Sequence, residues 1–229
     1  MRTCVRSYLG RVGYSEATAL QERLARALKD GEPGALEHLL LLEHPPVITL
    51  GRNAHDADVL LDPAALRALG VEIHRTDRGG QVTYHGPGQL VGYPILSLQP
   101  DRRDVARYLR DLEEVLIRTL ARFGIAAGRA PSLTGVWVGD GKIAAIGIHL
   151  SRWVTTHGFA LNVETELSHF DLIVPCGLRS RGVTSMRKLL GRPVALEEVA
   201  AALAPEFAAV FDRQMVEPAV PVAFHEARG

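Results

Sequence analysis

Cysteine and lysine are both rare in this chain. The 229 residues include two cysteines, Cys4 and Cys176, which are far apart in sequence. An unexported chain of this size neither needs a disulfide nor meets an oxidising compartment, so we expect two free thiols. Only three of the 26 basic residues are lysines: Lys29, Lys142 and Lys188. A retained lysine is of interest because its ammonium can lose a proton and a guanidinium cannot, although mutational bias is the simpler explanation for a lysine outside a motif.

Long apolar runs, excess charge and metal-binding motifs are also missing. No segment approaches the roughly 20 apolar residues that span a bilayer, and the start lacks the apolar region of a signal peptide. The net charge is zero. We therefore expect a cytoplasmic protein that binds neither nucleic acid nor membrane. The nine histidines form no H-E-x-x-H motif and the cysteines form no C-x-x-C motif, so no metal site is predicted. Three histidines, His85 in a glycine-rich segment and His149 and His157 in the region of Lys142, are instead candidates to line a site.

The hydrophobic pattern predicts an α/β (mixed α+β) fold, a mixed β-sheet flanked by helices, because strands come in meanders with helices at intervals. Strands are predicted at CVRSYLG, LEHLLLLEH, VITLG, VEIHRT, QVTYH, QLVGYPILSL and WVTTHGFALNV, and a hairpin turning at Asp140-Gly141 within TGVWVGDGKIAAIGIHL. Helices are predicted from a Ser15 cap to Gly31, from Asp62-Pro63 to Leu69, from Asp104 to Gly124 with an apolar face through Val105, and in LEEVAAALAPEFAAVF, bent or broken at Pro205. We expect one domain over residues 1–217 and a loose tail over 218–229.

Two residues are candidates for chemistry on local grounds. Cys176 lies in IVPCGL, where Pro175 and Gly177 could expose the thiol at a chain reversal. A buried cysteine acting as a small hydrophobe is the alternative, and it fits Cys4, in a terminal strand, much better. Lys142 begins the strand KIAAIGIHL. It is either a solvated hairpin lysine or an ammonium beside a thiol, whose pKa it would lower.

A glycine-rich segment is the densest unusual stretch of the chain. Four glycines fall within Arg78–Gln89, interleaved with polar residues and with Tyr84 and His85. Glycines let a backbone approach a ligand closely, so we interpret the segment as a binding loop rather than a plain double turn. It is neither a Walker A loop nor a G-x-G-x-x-G fingerprint.

Three blocks taken together resemble a known family. The blocks RGGQVTYHGPGQLVGYPI, GKIAAIGIHLSRWVTTHGFALNV and IVPCGL, in that order, resemble the lipoyl/octanoyl transferases, the octanoyl-[acyl-carrier-protein]:protein N-octanoyltransferases of lipoate biosynthesis. The resemblance runs from about His44 to Ser185, with EHPPVITLGR as a weaker match. It implies the fold of the biotin/lipoate protein ligase catalytic domain.

The resemblance also implies a reaction, partners and site residues. Cys176 would take octanoyl from acyl carrier protein as a thioester and pass it to a lysine of lipoyl domains, in 2-oxoacid dehydrogenase E2 subunits or the glycine-cleavage H protein, the first step of endogenous lipoylation. Lys142 would lower the cysteine pKa, and no cofactor would be needed. The implied substrate-binding residues are Arg78, Gly79, Gly80, Gln81, Val82, Thr83, Tyr84, His85, Ala145, Ile146, Gly147, Gly158, Phe159 and Ala160.

Two rival functions remain open. An ATP-dependent lipoate-protein ligase shares the fold but would not need Cys176. A non-catalytic acyl- or biotinyl-binding module would need neither Cys176 nor Lys142. The basic stretch RSRGVTSMRK, residues 179–188, is a candidate docking surface for an acidic carrier protein, and a solvated basic loop is the alternative.

Overall fold

The computed structural model describes residues 1–100, 102–174 and 182–219. The strands are β1 Arg2–Arg11, β2 Glu37–Glu43, β3 Val47–Leu50, β4 Glu72–Arg75, β5 Val82–His85, β6 Gln89–Ile95, β7 Gly128–Ala130, β8 Leu133–Val138, β9 Gly141–Ser151, β10 Val154–Asn162 and β11 Arg213–Val216. The helices are α1 Tyr14–Asp30, α2 Pro63–Ala68, α3 Val105–Arg122, α4 Met186–Leu190 and α5 Leu196–Phe211, with 3-10 turns at Asp56–Asp58 and Leu167–Leu172.

The strands form two sheets. The larger has eight strands in the order β11-β1-β2-β6-β10-β9-β8-β7, in which β1 is parallel to both neighbours and the other pairs are antiparallel. The smaller has the order β4-β3-β5. The predicted mixed sheet flanked by helices is therefore confirmed. The chain passes from β2 in the large sheet to β3 in the small one through Pro45-Pro46, which cannot continue a strand ladder.

Helices cover both faces of the large sheet. The leucines of β2 alternate, so that Leu39 and Leu41 pack with α3 and α5 while Leu40 and Leu42 pack with α1. Burial on both faces explains why β2 is a continuous apolar run rather than an alternating one. The small sheet has its own buried cluster, which includes Tyr84 and Phe170.

Four local predictions need correction. The N-cap of helix α1 is Gly13 rather than Ser15, so that the helix begins at Tyr14, one residue before the predicted cap. The β8–β9 hairpin turns at Gly139-Asp140 rather than Asp140-Gly141, because Val138 pairs with Gly141. Helix α5 runs unbroken through Pro205. Val105 is exposed, whereas the predicted Leu112, Leu116 and Leu120 are buried and share their face of α3 with Tyr108.

Within the described ranges, no helix is both long and apolar enough to cross a membrane. Residues 220–229 and Cys176 lie outside the described residues, so the predicted loose tail and the predicted single domain stay predictions.

Candidate active site

A cavity lies where the Arg78–His85 segment passes over the β9–β10 hairpin. The Gly79 N–H donates to the Ile148 carbonyl of β9 at 2.8 Å, which holds the segment against the large sheet. Phe170 and Ile173, from the stretch that follows β10, and the chain at Gly182-Val183 also line the cavity. The site is thus assembled from both sheets.

Small residues on β9 and β10 make room for this packing. Gly147 and Gly158 are directly paired across the hairpin. A Cβ on Gly147 would lie 3.0 Å from the Gly79 carbonyl oxygen, so a larger residue would push the segment away. A Cβ on Gly158 would lie 2.2 Å from the carbonyl oxygen of Gly92 on β6. Gly147 and Gly158, which the family resemblance implies as substrate-binding residues, therefore also have a packing role that is independent of any ligand.

Arg78 anchors the glycine-rich segment. Its guanidinium is buried and donates to the Thr49 carbonyl and hydroxyl, both at 2.8 Å, and to the Gly79 carbonyl at 3.1 Å. Backbone bonds from Arg52 to the Arg78 carbonyl and from Asn53 to the Gly80 carbonyl complete the attachment. Arg78 thus brings a fixed positive charge to the cavity wall.

Lys142 is the second residue of β9 and lines the cavity. Its Nζ lies 4.9 Å from the ring centre of Trp137, close enough for a cation–π contact. Its N–H donates to the Gly182 carbonyl at 2.9 Å, and its carbonyl accepts from the Thr184 N–H at 3.0 Å. The chain that returns after Cys176 is therefore bound to the strand that carries Lys142.

Buried polar groups also line the cavity. His157, with the left-handed φ of 57°, donates from Nε2 to Asp77 at 2.8 Å. Tyr93 donates its hydroxyl to His44 Nε2 at 2.7 Å, since His44 Nδ1–H must donate to the Val12 carbonyl. Burial lowers the pKa of His44 to about 4 and also lowers the pKa of His157, whose bond to Asp77 opposes the shift. Both imidazoles are consequently neutral at physiological pH.

The structure brings most of the predicted site residues together. Lys142 and every predicted substrate-binding residue except Tyr84 line the cavity. The Tyr84 side chain packs in the core of the small sheet, and its hydroxyl bonds to His169 at 2.8 Å. His149 does not line the cavity and instead contacts Arg52. Cys176 lies outside the described residues.

Sequence reasoning missed several cavity residues. Tyr14, Tyr93, Asn162, Phe170, Ile173, Gly182 and Val183 also line it, and so do two residues that the sequence did single out, Gln89 in the binding loop and His157. Asn162 lies within a quoted block, and its polar side chain in an apolar strand was the available signal. The position of Tyr14 depends on how α1 packs, which no local pattern reveals.

Comparison with known proteins assigns the family. A profile of the lipoyl protein ligase A/B catalytic domain matches residues 13–208. The chain belongs to this family. A protein of Solibacter usitatus named octanoyltransferase is 56% identical over 94% of this chain and 96% of its own length. An octanoyltransferase of Chloroflexus aggregans is 51% identical over 94% of this chain and 98% of its own.

Solved structures agree on the fold of this lipoyl ligase A/B domain. A structure from T. acidophilum, described as a lipoate protein ligase with bound lipoic acid, has a TM-score of 0.76 and covers 97% of this chain and 91% of its own. Its sequence identity is 18%, so the likeness shows the fold alone. The predicted family and the predicted ligase-like fold are both confirmed.

Proposed function

We propose that this protein is a cytoplasmic octanoyltransferase, which moves octanoyl from acyl carrier protein to a lysine of lipoyl domains in 2-oxoacid dehydrogenase E2 subunits or the glycine-cleavage H protein. The observation that carries the proposal is the 56% identity, over nearly the whole of both chains, to a protein of that name. The cavity supports it, because Lys142 lines it together with small and apolar residues such as Ala145, Gly147 and Phe159.

The chemistry needs two exchanges at one thiol. The Cys176 thiolate attacks the octanoyl thioester, a new C–S bond forms, and the carrier thiol leaves. The lysine amine of the lipoyl domain then attacks the acyl-enzyme, a C–N bond forms, the Cys176 thiolate leaves, and the amine gives up a proton. Lys142, as ammonium, favours the Cys176 thiolate and gives its proton to the carrier thiolate as that group leaves. The resulting Lys142 amine then takes the proton that the attacking lysine gives up, which restores the ammonium.

The described residues on both sides of Cys176 support its role. Ile173 precedes it by three residues and Gly182 follows it by six, and both line the cavity. Cys4 has the opposite character: it is fully buried, and burial with nearby Glu37 raises its thiol pKa to about 12. A thiol of that pKa is almost entirely protonated near neutrality and is a poor nucleophile.

An ATP-dependent lipoate-protein ligase shares this fold, so the fold does not distinguish a ligase from an octanoyltransferase. A covalent acyl-enzyme intermediate does distinguish the two functions. We expect that incubation with octanoyl-acyl carrier protein, without ATP, adds one octanoyl mass to the protein. Cys176→Ser should abolish the adduct and the transfer, while the matched Cys4→Ser should retain both. A normal adduct on Cys176→Ser contradicts the mechanism, and lipoylation that depends on ATP and free acid supports the ligase.

A further inference from the structure

Four buried residues form a connected hydrogen-bonded path along the cavity wall: His85, Gln89, Asn162 and Thr184. His85 and Gln89 lie on either side of the turn between β5 and β6, where the Gln89 N–H donates to the Gly86 carbonyl. Gln89 and Asn162 are directly paired across β6 and β10, which brings their side chains together. The path is thus fixed by two strand ends and a tight turn.

Backbone carbonyls fix the orientation of both amides in this path. Gln89 Nε2 lies 3.3 Å from the Tyr84 carbonyl and 2.9 Å from Asn162 Oδ1. Asn162 Nδ2 lies 3.1 Å from the Thr184 carbonyl. A backbone carbonyl only accepts, so each amide nitrogen must face it. Gln89 Oε1 must therefore face His85.

This orientation determines the tautomer of His85. Gln89 Oε1 only accepts, so His85 Nδ1, 2.7 Å away, carries the ring proton and Nε2 is a bare acceptor. Burial, with His44, Arg78 and His157 nearby, lowers the pKa of His85 to about 3 against the opposing bond to Gln89, so the ring stays neutral. Among the described residues no group hydrogen-bonds to Nε2, and His85 lines the cavity.

We propose that Gln89 and Asn162 are positioning residues that hold His85 Nε2 in the cavity as a hydrogen-bond acceptor for the amine of the incoming lysine. The inference rests on the proposed function. A bond from one amine N–H to Nε2 turns the nitrogen lone pair toward the acyl carbonyl. As the C–N bond forms and the C–S bond to Cys176 breaks, the leaving proton goes to Lys142, because the His85 ring is too weakly basic to keep it.

The same path reaches Lys142. The Thr184 N–H donates to the Lys142 carbonyl, and the Thr184 carbonyl accepts from Asn162. The acceptor on His85 and the strand that carries Lys142 are therefore held by one set of hydrogen bonds. A change at Gln89 or Asn162 should then affect attack by the amine more than formation of the acyl-enzyme.

Gln89→Glu gives the sharpest test. A carboxylate still accepts from His85 Nδ1 but cannot donate to Asn162, and its charge raises the His85 pKa, so that Nε2 gains a proton, and becomes a donor, at a higher pH than in wild type. We expect transfer from octanoyl-enzyme, pre-formed with a small octanoyl thioester, to a lipoyl domain to slow about tenfold or more, with a new pH dependence. The rate at which the small octanoyl thioester acylates the enzyme should change by less than about threefold between wild type and Gln89→Glu.

Two further variants and a spectrum complete the test. His85→Gln, which offers a neutral acceptor, should retain more amine transfer than His85→Leu. Ring ¹⁵N spectra of wild type should show the proton on His85 Nδ1, and Gln89→Met should lose that preference. A wild-type proton on Nε2, or equal slowing of both half-reactions, overturns the inference. If the wild-type protein forms no acyl-enzyme, both the proposed function and the proposed binding of the lysine amine to His85 are overturned. The ¹⁵N spectrum tests the His85 tautomer independently of that result.

Discussion

Lys142 differs from the other two lysines in its surroundings. Its Nζ lies over the Trp137 ring and its side chain lines the cavity. Lys29 lies in the last turn of α1, where its charge suits the helix dipole, and Lys188 is exposed on α4. A motif, a cavity and an aromatic contact coincide at one lysine only, which favours a functional reason for its retention over mutational bias.

Substitutions at Lys142 should separate its charge from its proton transfer. Lys142→Ala should raise the thiol pKa of Cys176 and slow its alkylation near neutral pH. Lys142→Arg should keep alkylation reasonably fast but lose most turnover, by about 10²–10⁴-fold, because arginine cannot take a proton from the amine. Alkylation rates and single-turnover transfer measure the two effects.

Lys29→Arg is the matched control, because it makes the same exchange away from the cavity and should change neither rate. Near-normal turnover of Lys142→Arg would reduce Lys142 to a fixed charge. His157 would then be the next candidate for the base, ahead of His149, since only His157 lines the cavity.

Strands β6 and β10 approach each other closely at the site because Gly158 on β10 lies against the backbone of Gly92 on β6. A Cβ on Gly158 would meet the Gly92 carbonyl oxygen at 2.2 Å and Pro94 Cδ at 2.5 Å, and neither neighbour is the flexible end of a side chain. Gly128 on β7 is also a strand glycine, but a Cβ there would meet nothing within 4 Å. The two positions form a natural comparison.

We expect Gly158→Ala to lower the free energy of unfolding by about 1–3 kcal/mol through overpacking, and to reduce activity because β10 must shift beneath the cavity. Gly128→Ala should leave stability unchanged or raise it by about 0.4–1 kcal/mol, since alanine restricts the unfolded chain. Urea unfolding midpoints of the two variants decide the matter. Equal stability of both would show that β10 adjusts without cost.

The elements were predictable from local sequence to different degrees. Periodicity and turn residues located most of the strands and most helix ends, because these depend on neighbouring residues. The short strands β7 and β11 and the five-residue helix α4 were not predicted. The assignment of β2 and β3 to different sheets was not predictable. Pro45-Pro46 indicates that β2 ends there, but it does not indicate which sheet the following strand joins. The amide pair of Gln89 and Asn162 likewise depends on the register of β6 against β10, which is set by packing across the whole sheet.

Buried neutral histidines tie the stability of the whole molecule to pH. The pKa of His44 is lowered to about 4 and that of His85 to about 3, chiefly by burial. Below the ordinary histidine pKa of 6.5, these histidines are protonated in the unfolded chain but stay neutral in the folded chain. Their contribution to the free energy of unfolding is therefore complete above pH 6.5 and is lost as the pH drops toward 4.

Unfolding free energy should therefore decrease between pH 6.5 and 5, by about 1.4 kcal/mol per pH unit for each such histidine. Urea titrations at several pH values measure the slope. His44→Gln, which cannot ionise, should flatten it by one histidine's share when compared with wild type. A wild-type stability that is flat over this range would contradict the neutral buried assignments.

The basic stretch after Cys176 gives a prediction about protein partners. Arg179 and Arg181 lie outside the described residues, while Arg187 and Lys188 are exposed at α4. If this stretch docks an acidic carrier protein, Arg187→Glu with Lys188→Glu should raise KM for carrier-bound octanoyl but not for a small octanoyl thioester.

A control for that experiment uses α1, which packs in the apolar cluster on the other face of the large sheet from α4. Arg26→Glu with Lys29→Glu makes the same charge change on α1 and should leave both KM values unaltered. Equal effects of the α4 pair on the two donors would remove the docking hypothesis and leave a solvated basic segment.

The pairing of β1 with β11 has a consequence for biogenesis. On the ribosome β1 can join β2 early, but its other edge stays open until residues 213–216 have been synthesised, about 200 residues after β1 itself. An unpaired inner strand is a template for wrong pairing with other chains. Once Arg213 has been synthesised, β11 can pair with β1, and the buried Arg213 Nε donates to Glu37 Oε2 at 2.5 Å, which fixes β11 at that edge. The nascent protein should therefore depend most on chaperones just before β11 emerges.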